Sequence, residues 1–348
     1  MLSGKLTAKN LLVIAVLTVA LVMTVSACQA ADVMLTGAGA TFPYPIYSKW
    51  FDVYGRTNPD VRINYQSIGS GGGIQQLKAG TVDFGASDAP LSDQEAKDMP
   101  KTVLHIPTVA GAVVVAYNLP GSPKGLRLAA DTLANIYLGK ITRWNDKRIA
   151  SLNPKTDLPS LAIAVVHRSD GSGTSYIFTK YLTAVNRAWS VRVGAGKSVD
   201  WPVGIGGKGN EGVAGVVKQT PGAIGYVELA YAKQNKLRYA SVRNRAGRFV
   251  EPTVASTTAA AAGAVSAMKK DVRVSIVNAP GENAYPIAGF TYILVYKGQA
   301  RREKTKALEG FLLWAMRDGQ KYADDLLYAP LPDEVVRMNE VRIKEITK

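Results

Sequence analysis

The sequence predicts an α/β fold, in which short apolar strands alternate with amphipathic helices along most of the chain. The strand candidates are apolar at every second position or throughout, whereas the helix candidates carry apolar residues three or four positions apart. Chain length agrees with this, because 348 residues with 47% hydrophobic content can bury more than one core. We therefore expect two domains.

The first third of the chain shows this alternation. VRINYQSIG (residues 61–69) alternates like a strand, and the helix IQQLKAG follows it and ends at Gly80. VDFGASDAP predicts a second strand, after which LSDQEAKDM begins a helix with Ser92 as its N-cap. The fully apolar VAGAVVVAYN (residues 109–118) predicts a buried strand, where the chain crosses between domains.

The rest of the chain repeats the pattern. TLANIYLGKITRWND predicts a helix to Gly139, LAIAVVHRSD a buried strand, and GTSYIFTKYLTAVN a helix whose core face holds Ile177, Tyr181 and Val185. GAIGYVELAYAKQN predicts a strand and then a helix, and GFTYILVYK predicts another buried strand. STTAAAAGAVSAMKK and KTKALEGFLLWAMRDGQKYADDL are both expected to be helical.

Residues 1–27 have the pattern of an export signal. Lys5 and Lys9 precede LLVIAVLTVALVM, an apolar run that is too short and too close to the first residue to span a membrane well. Small residues follow the run, as they do before a processing site. We therefore expect the folded part of the chain to work outside the cytoplasm.

Two processing routes fit the end of this segment. VSAC, which ends at Cys28, fits a lipoprotein box in which the cysteine becomes a lipid-bearing N-terminus. CQAAD also permits an ordinary cut after Ala30 or Ala31. Membrane contact is expected only if Cys28 is lipidated. Because the chain has a single cysteine, no disulfide is expected.

The positive charge first suggests nucleic-acid binding. The net charge is +15, and removing Lys5 and Lys9 with the signal lowers it to +13. However, the Lys and Arg residues are scattered, the densest basic run is KGQARREKTK, and aromatic and basic residues do not interleave as in stacking platforms. We expect no nucleic-acid partner, and the charge would serve either solubility or the attraction of a small anion.

Nucleotide and metal sites are poorly supported. GIGGKG (residues 204–209) matches a dinucleotide pattern, but no acidic residue follows at the required distance, so a backbone loop is expected. Lys208 is followed by glycine and not by the Ser or Thr of a phosphate-binding loop. His105 and His167 lack ligand spacing to another donor, so no metal is expected.

Nucleophilic catalysis is also disfavoured. The candidate serines are Ser70, Ser87 and Ser172, and none lies in an intact G-x-S-x-G motif. A serine nucleophile needs a base, and the chain has only two histidines. We therefore expect no enzymatic activity.

Anion binding accounts best for the remaining motifs. GAGATFP, IGSGGG, ASDAP and RSDGSGTS are glycine-rich or hydroxyl-rich segments near predicted strand ends or helix starts. Helix N-termini leave backbone N–H groups unpaired and attract anions, and Ser or Thr hydroxyls add donors. One such segment is usually only a capping turn. Several in one chain, together with an Arg, predict an oxyanion site.

The order of these motifs resembles that of the periplasmic phosphate-binding proteins, which capture the substrate of the ABC phosphate importer. The matching segments are LTGAGATFPYPIYSKW, NYQSIGSGGGIQQLKAGTVDFGASDAPL, IYLGKITRWND, HRSDGSGTSYIFTKYL and WPVGIGGKGNEGVAGVVKQTPGAIGYVE, with YAPLP near the end. The resemblance implies a periplasmic monomer that needs no cofactor, binds inorganic phosphate and delivers it to a membrane permease.

The resemblance also implies a two-lobed type II periplasmic binding protein fold, with the ligand in the cleft between the lobes. One lobe would comprise residues 32–117 and 285–348, and the other residues 118–284. Hinges would lie near residues 115–118 and 283–286. In such a protein the ligand is enclosed when the lobes close about the hinges.

Carried over position by position, the family's phosphate contacts fall on eight residues, and Asp170 resembles the residue that orients the arginine. The eight are Thr41, Phe42 (through its N–H), Ser70, Asp88, Arg168, Ser172, Gly173 and Thr174. A carboxylate at Asp88 could accept a hydrogen bond from a protonated phosphate but not from sulfate. A phosphate-ester hydrolase, or a binding protein tuned to another anion, remains an alternative.

Overall fold

The computed structural model describes residues 33–121, 125–299 and 302–347. The expected export signal and Cys28 lie outside the described residues, so the structure does not test them. Within the described ranges, no helix is both long enough and apolar enough to cross a membrane.

The strands are numbered here in chain order. They are β1 (Val33–Gly39), β2 (Val61–Ser67), β3 (Phe84–Ser87), β4 (Val103–Tyr117), β5 (Arg127–Leu128), β6 (Ala164–Arg168), β7 (Ile205–Gly207), β8 (Ala223–Glu228), β9 (Arg238–Tyr239), β10 (Ser241–Arg243), β11 (Phe249–Val250) and β12 (Ala288–Tyr296). The strands predicted from the sequence correspond to β2, β3, β4, β6, β8 and β12.

The helices follow the same convention. They are α1 (Tyr44–Thr57), α2 (Ser70–Lys78), α3 (Asp93–Lys97), α4 (Ala130–Tyr137), α5 (Lys147–Ala150), α6 (Gly173–Val185), α7 (Arg187–Arg192), α8 (Gly209–Gln219), α9 (Leu229–Gln234), α10 (Val254–Ala262), α11 (Val265–Met268), α12 (Arg302–Arg317) and α13 (Asp333–Ile343). Helix α3 has the predicted cap, because Ser92 and Glu95 form a reciprocal capping box.

The main sheet joins nine of the described strands, in the order β2-β1-β3-β12-β4-β8-β6-β7, with β9 beside β4. Strand β1 runs parallel to β2 and β3, and β6 runs parallel to β7 and β8. Parallel strands that are each followed by a helix bring their carboxyl ends, and the helix starts after them, to one edge of a sheet. The motifs predicted to bind an anion lie at these edges.

Strand β4 connects the two parallel groups. Its first part pairs with β12, and from Val113 to Tyr117 it pairs with β8. Nearly every residue of this strand is buried, as the fully apolar segment predicted. The lobe boundaries and hinges given above stay predictions.

The core contains large aromatic side chains, as the apolar faces of the helices predicted. Within α6, Ile177 and Tyr181 are buried, and Val185 at the end of the helix is only partly buried. Phe178 stacks on Tyr226 with ring centroids 4.3 Å apart. Helix α6 is therefore fixed against the sheet through β8, which stabilises its N-terminal end in the site.

Two predicted helices are shorter than expected. The segment KTKALEGFLLWAMRDGQKYADDL is not one helix, because α12 ends at Arg317 and two 3₁₀ turns follow. Beyond the end of α12, Trp50 Nε1 of α1 donates to the carbonyl oxygen of Gly319 at 2.8 Å, which fixes the first 3₁₀ turn against α1. STTAAAAGAVSAMKK is likewise divided, into α10 and α11, at Gly263.

Candidate anion-binding site

The predicted binding residues come together in the interior of the protein, where the segment before α1 and the first turns of α2, α6 and α8 meet. Each of the eight is buried: Thr41, Phe42, Ser70, Asp88, Arg168, Ser172, Gly173 and Thr174. Helix starts leave N–H groups without intrahelical acceptors. Their meeting therefore creates a buried site that is rich in donors and favourable to an anion.

The Ser70 hydroxyl joins segments that are distant in the sequence. Ser70 Oγ accepts hydrogen bonds from the backbone N–H of Asp88 at 3.2 Å and of Gly173 at 3.0 Å. A Cβ atom on Gly173 would lie 2.5 Å from both Asp88 Oδ2 and Ser70 Oγ. Residue 173 must therefore be glycine for the segments to approach this closely.

The glycine motifs on either side also meet through their backbones. The N–H of Gly71 donates to the carbonyl oxygen of Gly171 at 2.8 Å. A Cβ atom on Gly69 would collide with the Asp170 carboxylate, and Gly69 has a φ of +87°. The glycines of IGSGGG and RSDGSG thus permit the two backbones to approach closely.

Asp88 is the acidic group of the site, and only 3% of its surface is exposed. Its Oδ1 accepts a hydrogen bond from Thr291 Oγ1 at 2.7 Å. Burial raises the pKa of Asp88 to about 7, although Thr291, the charge of Arg168 and Ser70 each oppose the rise. This carboxyl group therefore exchanges its proton near neutral pH.

A β-bulge lies beside Thr291, the partner of Asp88. The register between β4 and β12 shifts here, because Thr291 pairs with Val109 and Tyr292 with Pro107, which leaves Thr108 as the extra residue. Pro107 has no N–H for the sheet, and bulges commonly redirect a side chain beside a binding site. Thr291 was not predicted from the sequence, and the proline within an apolar strand was the available indication of an irregularity.

Arg168 is held by Asp170 through two hydrogen bonds. Arg168 Nε donates to Asp170 Oδ1 at 2.8 Å, and Nη2 donates to Oδ2 at 2.5 Å. Burial alone would raise the pKa of Asp170, but these bonds, the charge of Arg168 and the Gly209 N–H lower it below its usual value. The pair is therefore charged on both sides, and its bidentate geometry fixes the guanidinium.

Hydroxyl groups complete the site. Arg168 Nη1 donates to Thr174 Oγ1 at 3.4 Å. Ser172 caps α6, since its Oγ accepts from the N–H of Ser175 at 3.0 Å. The carbonyl oxygen of Phe42 accepts from Tyr328 Oη at 2.6 Å, which anchors the peptide between Phe42 and Pro43. Tyr328 belongs to the YAPLP motif, so this motif contributes to the site by holding the backbone at Phe42.

Asn210 is a site residue that the sequence interpretation missed. Its side chain contacts both Thr41 and Thr174. GIGGKG was expected to be a loop, but it contains β7 and the start of α8, and the Gly209 N–H donates to Asp170 Oδ1 at 3.0 Å. A polar residue directly after a glycine at a helix start could have indicated this role.

The histidines and the remaining candidate serine have structural contacts. His105 Nε2 accepts from the Leu91 N–H at 3.0 Å, and burial lowers the pKa of His105 to about 4. His167 stacks on Trp201 with ring centroids 4.9 Å apart. Ser87 Oγ donates to the carbonyl oxygen of Ala89 at 2.5 Å. In the part of the chain that the structure describes, no cluster of acidic, His or Cys side chains could hold a metal ion.

Comparison with known proteins places the chain among relatives of one kind. A family profile described as a PBP superfamily domain matches residues 24–318. The phosphate-binding protein PstS of Pasteurella multocida is 47% identical over 315 residues, covering 90% of this chain and 91% of that protein. The phosphate-binding protein PstS of Haemophilus influenzae is 48% identical over 303 residues, covering 87% and 90%.

Solved structures agree on the fold. A phosphate binding protein from Stenotrophomonas maltophilia matches with a TM-score of 0.68 at 20% identity, covering 89% of this chain and 93% of that one. The chain thus has the mixed α/β fold of the periplasmic binding proteins and belongs to the PBP superfamily. Within the superfamily it belongs to the family of the PstS phosphate-binding proteins, which confirms the resemblance inferred from its motifs.

Proposed function

We propose that this chain binds inorganic phosphate in the buried site and delivers it to the permease of an ABC phosphate importer. The observation that carries the proposal is the convergence of hydroxyl and N–H donors around one buried acceptor, Asp88, with Arg168 as the cation. Such an arrangement fits a small tetrahedral oxyanion. It binds by hydrogen bonds and requires no covalent chemistry.

The site binds by oriented donors more than by net charge. Asp170 compensates most of the charge of Arg168 while holding its guanidinium in place. Oriented N–H and O–H groups in a buried site stabilise an anion without reorganisation when it binds. The +13 charge that remains after removal of the signal would then act at long range, by raising the local anion concentration.

Asp88 is proposed to identify phosphate by its proton. Phosphate at neutral pH still carries at least one proton and can donate to the ionised carboxylate, whereas sulfate has no proton to donate. Sulfate can therefore bind favourably only to the protonated form of the Asp88 carboxyl. Burial raises the pKa of this carboxyl to about 7, so the protonated form is lost as the pH rises above neutral. Discrimination against sulfate should therefore strengthen above neutral pH.

The lobe division inferred from the resemblance is part of the proposal. Residues 32–117 and 285–348 would form one lobe, and residues 118–284 the other. Several contacts in the site join these segments, including Ser70 with Gly173 and Gly71 with Gly171. Lys197 Nζ also donates to Glu95 Oε1 at 2.5 Å, which joins α3 to the loop before β7. Phosphate would stabilise the closed form, which the permease would prefer.

A monomer in the periplasm fits this function. Residues 1–27 would direct export, and Cys28 would either carry a lipid or be removed by a cut after Ala30 or Ala31. Mass spectrometry of the mature protein isolated from the cell envelope tests this point. A diacylglycerol-modified Cys28 supports the anchored form, and an unmodified N-terminus at Ala31 or Asp32 supports the form without an anchor.

Equilibrium dialysis with radiolabelled inorganic phosphate tests the binding function. We expect one phosphate per chain, retained at low ligand concentration and unaffected by competing nitrate. The same preparation should release no chromophore from a chromogenic phosphomonoester, because the rings of His105 and His167 are engaged by Leu91 and Trp201. Absence of bound phosphate would refute the proposal, and catalytic release of the chromophore would favour a hydrolase.

A further inference from the structure

We propose that Asn210 is a positioning residue that orients the hydroxyl groups of Thr41 and Thr174 as donors toward the bound anion. This inference rests on the proposed phosphate site. Because the two hydroxyls then donate, the side of the site that they line would favour oxygens of the bound anion that carry no proton. The proton of the ligand is then left to face Asp88.

Asn210 is fully buried in the first turn of α8. Its Nδ2 donates to Thr41 Oγ1 at 2.7 Å and to Thr174 Oγ1 at 3.1 Å, and its backbone N–H donates to Thr41 Oγ1 at 3.2 Å. The Oδ1 atom accepts from the N–H of Glu228 at 2.9 Å. Because a backbone N–H can only donate, this last bond determines which end of the amide is oxygen.

The orientation of the hydroxyls follows from their hydrogen-bonding capacity. A threonine hydroxyl has one proton and two lone pairs. Both lone pairs of Thr41 Oγ1 accept bonds from Asn210. Thr174 Oγ1 accepts from Asn210 Nδ2 and from Arg168 Nη1 at 3.4 Å. In both threonines the hydroxyl proton must therefore point away from Asn210, which leaves it available to an anion in the site.

The fixed orientation of these hydroxyls affects selectivity. A ligand oxygen opposite a fixed donor must be an acceptor, so a protonated ligand oxygen is disfavoured beside Thr41 and Thr174. Asp88 is the acidic acceptor that remains for the ligand's proton. Asn210 also joins Thr41 to Thr174, which belong to different proposed lobes. Asn210 would thus both orient the two threonine hydroxyls and help hold the two proposed lobes together.

The first experiment measures phosphate affinity for the wild type, Asn210→Asp and Asn210→Leu by calorimetry between pH 5 and pH 9. The ionised carboxylate of the Asn210→Asp variant accepts instead of donating, so both hydroxyls reverse, and we expect an affinity loss on the order of a hundredfold at pH 9. Burial raises the pKa of the new carboxyl, and its protonated form can donate again, so the loss should shrink as pH falls. The Asn210→Leu variant should lose affinity by a factor that does not depend on pH.

The ratio of Asn210→Leu to the wild type at each pH is the baseline for the influence of the surrounding charged groups, because this substitution introduces no charge. These groups are Asp88, Arg168, Asp170, Glu211 and Glu228, all of which the variants retain. Asn153→Asp is the matched control, because Asn153 is a buried amide whose Nδ2 donates to the carbonyl oxygens of Arg127 and Ile149, away from the site. It should lower the unfolding temperature without changing phosphate affinity. Equal, pH-independent losses in Asn210→Asp and Asn210→Leu, or no loss in either, would overturn the inference.

A neutron structure of the wild type separates this inference from the proposed function. Deuterium on Thr41 Oγ1 and Thr174 Oγ1 should point away from Asn210 Nδ2. A deuterium bonded to Thr41 Oγ1 or Thr174 Oγ1 and directed toward Asn210, with no amide deuterium directed at that oxygen, would refute the positioning role even if phosphate binds. A wild type that binds no phosphate would refute the proposed function, while the hydroxyl orientation would still be read from the neutron map.

Discussion

Replacing Asp88 by asparagine removes the titrating acceptor from the site while keeping its shape. In the wild type, this carboxyl is 3% exposed and has a pKa near 7, raised by burial. Sulfate offers no proton, so it can occupy the site favourably only when the carboxyl is itself protonated. In Asp88→Asn the amide can donate to sulfate at any pH. The variant should therefore accept sulfate without the pH dependence of the wild type.

The magnitude follows from proton linkage. Below pH 7 the wild-type carboxyl is mostly protonated, and sulfate affinity should be nearly constant. Above its pKa the protonated fraction falls tenfold per pH unit, which costs about 1.4 kcal/mol of sulfate binding free energy per unit. Between pH 7, where half of the carboxyl is protonated, and pH 9, where about 1% is, the sulfate dissociation constant should rise roughly fiftyfold in the wild type. In Asp88→Asn it should stay level.

Calorimetric titration with sulfate from pH 6 to pH 9 measures this difference. Asp83→Asn is a suitable control, because Asp83 is a partly buried carboxylate that lies away from the site. It accepts hydrogen bonds from the Thr36 N–H and from Lys304 Nζ. The control should show the wild-type slope. A wild-type sulfate affinity that does not change with pH, or a slope retained in Asp88→Asn, would refute the role assigned to Asp88.

Two further predictions concern contacts on either side of the site. Gly173→Ala places a Cβ atom 2.5 Å from Asp88 Oδ2 and Ser70 Oγ, so the phosphate affinity measured by calorimetry should fall on the order of a hundredfold. Gly215→Ala is the control, because a Cβ at this position meets no atom within 4 Å, and it should leave the phosphate affinity unchanged. Burial raises the pKa of Glu228 well above 4.5, so the folded state keeps a proton that the unfolded state loses. The free energy of unfolding therefore falls as the pH rises, by up to about 1.4 kcal/mol per pH unit. Glu228→Gln should make the fall in urea-unfolding stability above pH 5 less steep, leaving the contribution of Asp88, and an unchanged slope would contradict this explanation.

Much of the fold was predictable because the strands and helices carry strong local patterns. The alternation in residues 61–67 and the apolar run in β4 predict which faces are buried from the local sequence alone. Helix ends were less predictable. The turns after α12 are held by the hydrogen bond from Trp50 to Gly319, between residues 269 positions apart, and such a long-range contact cannot be inferred from the local sequence.

The same distinction explains what the sequence revealed of the site. Thr41, Ser70, Asp88 and Arg168 lie in motifs that could be matched segment by segment, so their identification did not need the fold. Asn210 acts on Thr41 from 169 positions away, and Thr291 acts on Asp88 from 203 positions away. Such supporting residues are determined by which elements the sheet brings together. The pKa of Asp88 likewise depends on burial that only the folded chain creates.

Recognition of a protonated oxyanion is best tested by a calorimetric titration of the wild-type protein with phosphate and sulfate, side by side at pH 8.5. We expect one phosphate per chain and a sulfate affinity lower by at least about thirtyfold, because only about 3% of Asp88 is then protonated and sulfate has no proton to offer the ionised carboxylate. Sulfate binding as tight as phosphate binding at this pH would contradict the claim that the site recognises a protonated oxyanion.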